Sequence, residues 1–191
     1  MEAFLVSAGI VALGEIGDKT QLLALVLAAR FQKPWPIIAG ILIATLANHA
    51  LAGLMGGMIQ AIVPPGLLRW IVAFAFFAVA AWALRPDTFD DDPPPERGRW
   101  GIFGITTAMF FAAEMGDKTQ VATIVLAARY PSLVAVVVLG TTVGMLLANV
   151  PVVLLGQSIA VKVPLKKVRI AAAILFAAMG IYALVAVDFN A

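Results

Sequence analysis

Apolar residues run through this chain in six long stretches, separated by short polar or proline-bearing breaks. The stretches are about Ala3–Ala29, Pro36–Ile59, Leu67–Leu84, Trp100–Ala128, Leu133–Gly156 and Val168–Val187. Their lengths are close to or above the ~20 residues that a helix needs to cross the hydrocarbon core of a bilayer. The breaks carry turn chemistry: Arg30, Gln32, Lys33 and Pro34 close the first stretch, and Pro64, Pro65 and Gly66 separate the second from the third. The expected fold is all-α, a polytopic membrane protein with six transmembrane helices. The segment Met1-Glu2-Ala3-Phe4 lacks the basic region of a cleaved signal, so the first stretch is expected to be a retained helix.

Composition strengthens this reading. Of 191 residues 62% are hydrophobic, the mean hydropathy is +1.00 and only 13% are charged, against about a quarter in a soluble domain. Cysteine is absent, which excludes disulfides, thiolate metal sites and thiol redox chemistry. The formal net charge of +2 matters less than where the charges lie.

The chain repeats itself. Glu15-Ile-Gly-Asp-Lys-Thr-Gln21 returns as Glu114-Met-Gly-Asp-Lys-Thr-Gln120. From Glu15–Phe31 to Glu114–Tyr130, 11 of 17 aligned positions are identical. Further on, Gly40, Gly56, Arg69, Phe76 and Leu84 match Gly140, Gly156, Arg169, Phe176 and Leu184, while Asn48 and Asn149 share a Leu-Ala-Asn setting. The organisation expected is a first three-helix repeat at 1–84, an acidic proline-rich linker at 85–99 and a second three-helix repeat at 100–191. Because three is odd, successive repeats start on opposite sides of the membrane and are inverted, as in many secondary transporters, whose sites lie at mid-depth between the repeats.

Lysine and arginine set the orientation. Arg30 and Lys33, then Arg85, Arg97 and Arg99, then Lys162, Lys166, Lys167 and Arg169 fall on one side, against Arg69 and Arg129 on the other. The linker is expected in the cytoplasm and both termini outside. The linker reads as a solvated tether, with gathering of cations at the cytoplasmic mouth as a second use.

The candidate chemistry lies in the doubled string. A charge at the bilayer centre costs ~2.5–3.5 kcal/mol even on insertion scales, and each copy places two carboxylates and one ammonium in five positions. On a continuous helix Glu15, Asp18 and Lys19 would share a face. Gly17 and Gly116 remove side-chain bulk and can let the helix unwind and turn carbonyls inward. Thr20, Gln21, Thr119 and Gln120 offer neutral oxygens. Inverted packing would bring the two strings into one polar cluster, in which Glu15, Asp18, Glu114 and Asp117 are the candidate metal ligands. An oxygen-rich set suits calcium, manganese or magnesium, and with a single histidine and no cysteine zinc and copper fit poorly. Four carboxylates and two ammonium groups sum to −2, which one divalent cation neutralises. When the cation leaves, desolvation penalises bare charge and favours proton uptake by the same groups, which is how cation and proton become coupled.

Other readings compete at individual residues. A Glu and Lys four apart can pair only to lower their insertion cost, although that leaves Asp18, Asp117 and the duplication without a reason. Lys19 and Lys118 either hold the carboxylates in place or snorkel as structural partners. Asn48 and Asn149 either complete the site or bond between helices. His49 has no match in the second repeat, where Val150 stands at its position, and reads as packing, and the methionines read as filling.

Glu-x-Gly-Asp-Lys-Thr, twice, in a six-span chain with a central acidic linker resembles the GDT-type family of cation/proton exchangers. The resemblance spans essentially the whole chain. It implies export of manganese, calcium or both in exchange for protons, and it falls on Glu15, Gly17, Asp18, Lys19 and Thr20 with Glu114, Gly116, Asp117, Lys118 and Thr119. The partners implied are a divalent cation, protons and the bilayer, with no nucleic acid and no permanent cofactor. The chain resembles a bacterial plasma-membrane form. Three rival functions compete: an enzyme, an exporter of organic solutes and a non-transporting scaffold, the last of which the buried charges make wasteful. Paired membrane aspartates near a glycine suggest an intramembrane aspartyl protease, but neither Tyr130 nor Tyr182 precedes an aspartate. An exporter of amino acids or other small organic solutes, of the lysine-exporter type, would need a partner for the cargo carboxylate, which two lysines could supply.

Overall fold

The structure is a computed structural model that describes residues 1–85, 101–155 and 165–185. Residues 86–99 of the linker, Gly156 and Lys162, on which expectations above rest, lie outside the described residues. Helices α1 (Glu2–Glu15), α2 (Lys19–Phe31), α3 (Pro34–Ile62) and α4 (Pro65–Ala83) make up the first half. Helices α5 (Gly101–Glu114) and α6 (Lys118–Arg129), a 3₁₀ turn (Pro131–Leu133), α7 (Val134–Leu155) and α8 (Leu165–Val185) make up the second. No strand occurs among the described residues.

Local chemistry accounts for the boundaries. Pro34 and Pro65 stand in the first helical positions of α3 and α4, where a missing N–H costs nothing. Gln32 ends α2 in the left-handed conformation at φ 51°, and its N–H bonds the Ala28 carbonyl. Among the described residues four helices are long and apolar enough to cross a membrane: Pro34–Ile62, Pro65–Ala83, Pro131–Leu155 with its leading turn, and Lys166–Val185. Gly101–Glu114 is a shorter apolar helix.

The first and fourth apolar stretches are not continuous helices, contrary to the reading from sequence. Each breaks inside the repeated string, α1 from α2 at residues 16–18 and α5 from α6 at 115–117. Glu15, Asp18 and Lys19 therefore do not share one helical face. Gly17 and Gly116 sit at φ 82° and 77°, a left-handed conformation that stops the helix and that glycine adopts without penalty.

Polarity is turned inside out. Glu15, Asp18, Asn48, His49, Glu114, Asp117, Lys118 and Asn149 are buried, while Leu54, Phe74, Leu147 and Ile174 are exposed. Two apolar clusters flank this polar centre. One draws chiefly on α4, α6 and α8, the other on α2, α3 and α5. The halves interlock: α1 lies against α7, and its counterpart α5 against α3. Both contacts depend on a missing side chain. A Cβ on Gly140 would fall 2.7 Å from the Phe4 carbonyl and 3.0 Å from Ser7 Cβ. A Cβ on Gly40 would fall 2.7 Å from Thr106 Cβ and 3.0 Å from the Phe103 carbonyl. Phe4 and Ser7 correspond to Phe103 and Thr106 in the repeat, so the two seams are equivalent. Phe76 and Phe176, equivalent to each other, meet across α4 and α8 at 6.4 Å between centroids.

Gly140→Ala is expected to lower the melting temperature of the purified protein, because overpacking a close backbone seam costs ~1–3 kcal/mol. Gly9→Ala, whose Cβ would meet nothing within 4 Å, is expected to leave the melting temperature unchanged or raise it.

Candidate metal centre

The two breaks are built alike. The Asp18 N–H bonds the Glu15 carbonyl at 3.0 Å, and the Asp117 N–H bonds the Glu114 carbonyl at 3.1 Å. Each turn is then closed from the helix that follows it. Gly17 N–H donates to Gln21 Oε1 at 2.9 Å, and Gly116 N–H donates to Gln120 Oε1 at 2.7 Å. Asp18 and Asp117 occupy the N-cap positions of α2 and α6, yet neither side chain caps its helix. That departs from the usual use of aspartate at this position, which is to bond the first free N–H groups.

Their carboxylates reach across the molecule instead. Lys118 Nζ donates to Asp18 Oδ1 at 2.5 Å, and Lys19 Nζ lies 3.1 Å from Asp117 Oδ1. Each lysine thus pairs with the aspartate of the other copy, not with the glutamate four positions before it. Such contacts are the geometry expected of lysines that hold carboxylates in place. Burial makes the crossed pairs consequential. Asp18, Asp117 and Lys118 are at most 3% exposed, and a buried charge stripped of its partner destabilises by ~3–5 kcal/mol.

The glutamates are oriented by hydroxyls. Thr20 Oγ1 donates to Glu15 Oε2 at 2.6 Å, and Thr119 Oγ1 donates to Glu114 Oε2 at 3.0 Å. The other oxygen of each, Oε1, is buried without a hydrogen-bond partner among the described residues, as is Asp117 Oδ2. Carboxylate oxygens of Glu15, Glu114 and Asp117 all come within 4.8 Å of one another. Three acidic groups held this close in an apolar setting repel, and unpartnered buried oxygens are costly. The arrangement fits a hard divalent cation, which takes carboxylate oxygens at ~2.0–2.6 Å. The broken helices add to it, since the carboxyl ends of half-helices carry partial negative charge and serve as cation sites in transporters.

The remaining candidates divide. Gln21 and Gln120 spend their oxygens on Gly17 and Gly116, so these amides hold the turns. Asn48 bonds between helices: it accepts from Gln120 Nε2 at 2.9 Å and donates to the Phe111 carbonyl at 3.0 Å. Asn149 instead donates to the Met145 carbonyl and sulfur of its own helix at 3.1 and 3.0 Å. His49 is buried, and neither ring nitrogen has a hydrogen-bond partner among the described residues. Reading the sequence missed Met145 as a partner for Asn149. It also missed Ser7 and Thr106, two buried hydroxyls without partners among the described residues, eight residues before Glu15 and Glu114 on the same helical face. Their signal was available, in that both fall at equivalent places in the repeat.

Gly116→Ala is expected to cost ~1–2 kcal/mol of stability from the left-handed backbone alone, because the new Cβ would meet nothing within 4 Å. Gly116→Asn is expected to recover part of the loss, since asparagine tolerates that conformation. Thermal unfolding of the two variants in detergent checks the order.

Comparison with known proteins agrees with this geometry. The profile of the family described as divalent cation/proton antiporter GDT1 matches residues 3–91 and again residues 102–190. A candidate manganese exporter of Vibrio cholerae serotype O1 is 48% identical over 181 residues, covering 95% of this chain and 90% of its own length. A GDT1-like protein of Synechocystis is 26% identical over 198 residues, covering 92% and 93% of the two chains. GDT1-like protein 5 of Arabidopsis thaliana is 26% identical over 221 residues, covering 96% of each. No solved structure matches. The chain is an integral membrane protein and not an enzyme: it belongs to the GDT1 family of divalent cation/proton antiporters.

Proposed function

We propose that this antiporter exports manganese, and calcium as an alternative cargo, from the cytoplasm in exchange for protons. In this reading Glu15, Asp18, Glu114 and Asp117 are the carboxylates that handle the cation. The observation that carries the reading is the cluster of Glu15, Glu114 and Asp117 oxygens within 4.8 Å of one another, held beside two crossed ion pairs. The pairs balance Asp18 and Asp117. Glu15 and Glu114 then remain as two charges that one divalent cation offsets. Manganese is favoured by the likeness to the Vibrio cholerae protein. The amino-acid exporter is disfavoured, because each lysine already faces an aspartate and neither is left for a cargo carboxylate.

The repeats are taken as inverted, with six spans in which α1 with α2, and α5 with α6, each form one interrupted crossing. Three contacts support this. Gly40 meets Thr106 and Asn48 meets Phe111, so α3 and α5 advance in the same direction, whereas α3 turns back on α2 after Gln32 and Lys33. Tyr130, at the end of α6, donates to Glu2, at the start of α1, at 3.1 Å. Both termini are placed outside and the linker in the cytoplasm by the Lys and Arg distribution, in a bacterial plasma membrane.

The test is flux in proteoliposomes with manganese, calcium and magnesium under an imposed pH gradient. Asp18→Asn and Asp117→Asn are each expected to abolish flux while the protein still elutes as a folded species. Glu15→Gln and Glu114→Gln are expected to be severe as well. Normal transport by either aspartate variant would remove that residue from the site, and cation flux indifferent to the pH gradient would sink proton exchange.

A further inference from the structure

The two halves match in their ion pairs, their threonine–glutamate bonds and their glycine turns, but not in their asparagines. Asn48 spans the break between α5 and α6. It donates to the carbonyl of Phe111, one of the last carbonyls of α5, and accepts from Gln120 in the first turn of α6. A helix end leaves four carbonyls without intrahelical partners, so this one side chain ties both edges of the interruption to α3. The equivalent staple in the other half is open. Asn149 is turned back on Met145 of its own helix, and its Oδ1 is buried with no hydrogen-bond partner among the described residues. Gln21 reaches past it to the Ala148 carbonyl at 3.1 Å.

A buried amide oxygen without a partner is a standing cost, and a satisfied arrangement of the same groups lies within reach. The residue matching Phe111 is Ala12, at the same distance before its break, and the residue matching Ala148 is Ala47. We propose that Asn48 and Asn149 are positioning residues that staple the two helix breaks in turn, and that Gln21 and Gln120 are their exchange partners. In the state seen here the Asn48 staple is closed and the Asn149 staple is open. In the oppositely facing state Asn149 donates to the Ala12 carbonyl and accepts from Gln21. Gln120 then passes to the Ala47 carbonyl, and Asn48 turns back on its own helix. Two arrangements of the same bonds, one per half, form the kind of bistable element that alternating access between repeats requires. The exchange rests on the inverted arrangement proposed above.

The absence of native cysteine makes the test direct. Ser7→Cys and Thr106→Cys place equivalent reporters ~12 Å before each break, at eight residues of 1.5 Å rise; both positions are buried in the state seen here, so each reacts only when its seam opens, and labelling of neither from either side overturns the exchange. The membrane-spanning protein in proteoliposomes is treated with a membrane-impermeant thiol reagent from either side, and the ratio of labelling rates at the two reporters is read. The inverted arrangement requires that the reporters react from opposite sides. Reaction of both from the same side overturns that arrangement, and the exchange with it. Asn48→Ala is expected to shift the ratio ~3–10-fold, the scale of one or two buried hydrogen bonds, and Asn149→Ala to shift it the opposite way. Met145→Leu conserves volume and removes only the sulfur that holds Asn149. It is expected to act in the same direction as Asn48→Ala, which keeps the test decisive should either asparagine variant fold poorly. Equal or same-direction shifts for the two asparagines, with the reporters on opposite sides, would show a fixed difference between the halves and overturn the exchange. Labelling needs no cation flux, so its outcome is separate from that of the transport test.

Discussion

Charge inside a membrane protein has to be answered by charge, and here the answer comes from the other half of the chain. Lys118 on Asp18 and Lys19 on Asp117 join residues about a hundred positions apart. Neither half can bury its own motif alone, because each aspartate would then lie in low dielectric without its cation. The pairing therefore acts as a clamp between repeats as much as a feature of a site. It also explains why both aspartates stand at N-caps without capping: the carboxylate is more valuable to the opposite lysine than to its own backbone.

The clamp needs the helix breaks. On an unbroken helix Glu15, Asp18 and Lys19 would point along one face, and the nearest partner of Lys19 would be Glu15. The left-handed turn at Gly17, repeated at Gly116, swings the aspartate away from the glutamate and starts a new helix behind it. The glutamate is then held by threonine, the aspartate by a lysine from across the interface, and the glycine N–H by glutamine. The threonines are consumed in orienting the glutamates, and the glutamine oxygens in closing the turns. What is left bare is a small set of acidic oxygens, and that remainder fits the divalent cation handled by the family.

The near-symmetry of this arrangement makes its one large exception informative. Two copies of one sequence element in one chain would be expected to bond alike if the molecule had a single resting geometry. Most of the bonds do repeat, down to the packing of Gly40 and Gly140 on equivalent positions of α5 and α1. The amides that bridge the breaks do not. Bonds of this strength are few and weak compared with the packing around them, so they can change partners while the interlocked helices and ion pairs persist.

The sequence alone determined the membrane class and the duplication of the motif, and it named four carboxylates, of which the fold gathers oxygens of Glu15, Glu114 and Asp117. These follow from local energetics: long apolar runs have no other solvent, and charges placed inside them twice, in the same order, must be used. It could not determine that the motif interrupts its helix, since a glycine in an apolar run reads equally as a packing residue. Nor could it assign the lysines, the glutamines or the two asparagines. Spacing along a chain says which side chains share a face, whereas partners a hundred residues apart are chosen by how the helices cross. Only the tertiary structure decided that Lys19 answers Asp117 and not Glu15, that Gln21 and Gln120 serve the backbone, and that Asn48 and Asn149 stand in different states. Each of those outcomes depends on which groups packing brings within hydrogen-bond reach, a distance that no one-dimensional pattern carries.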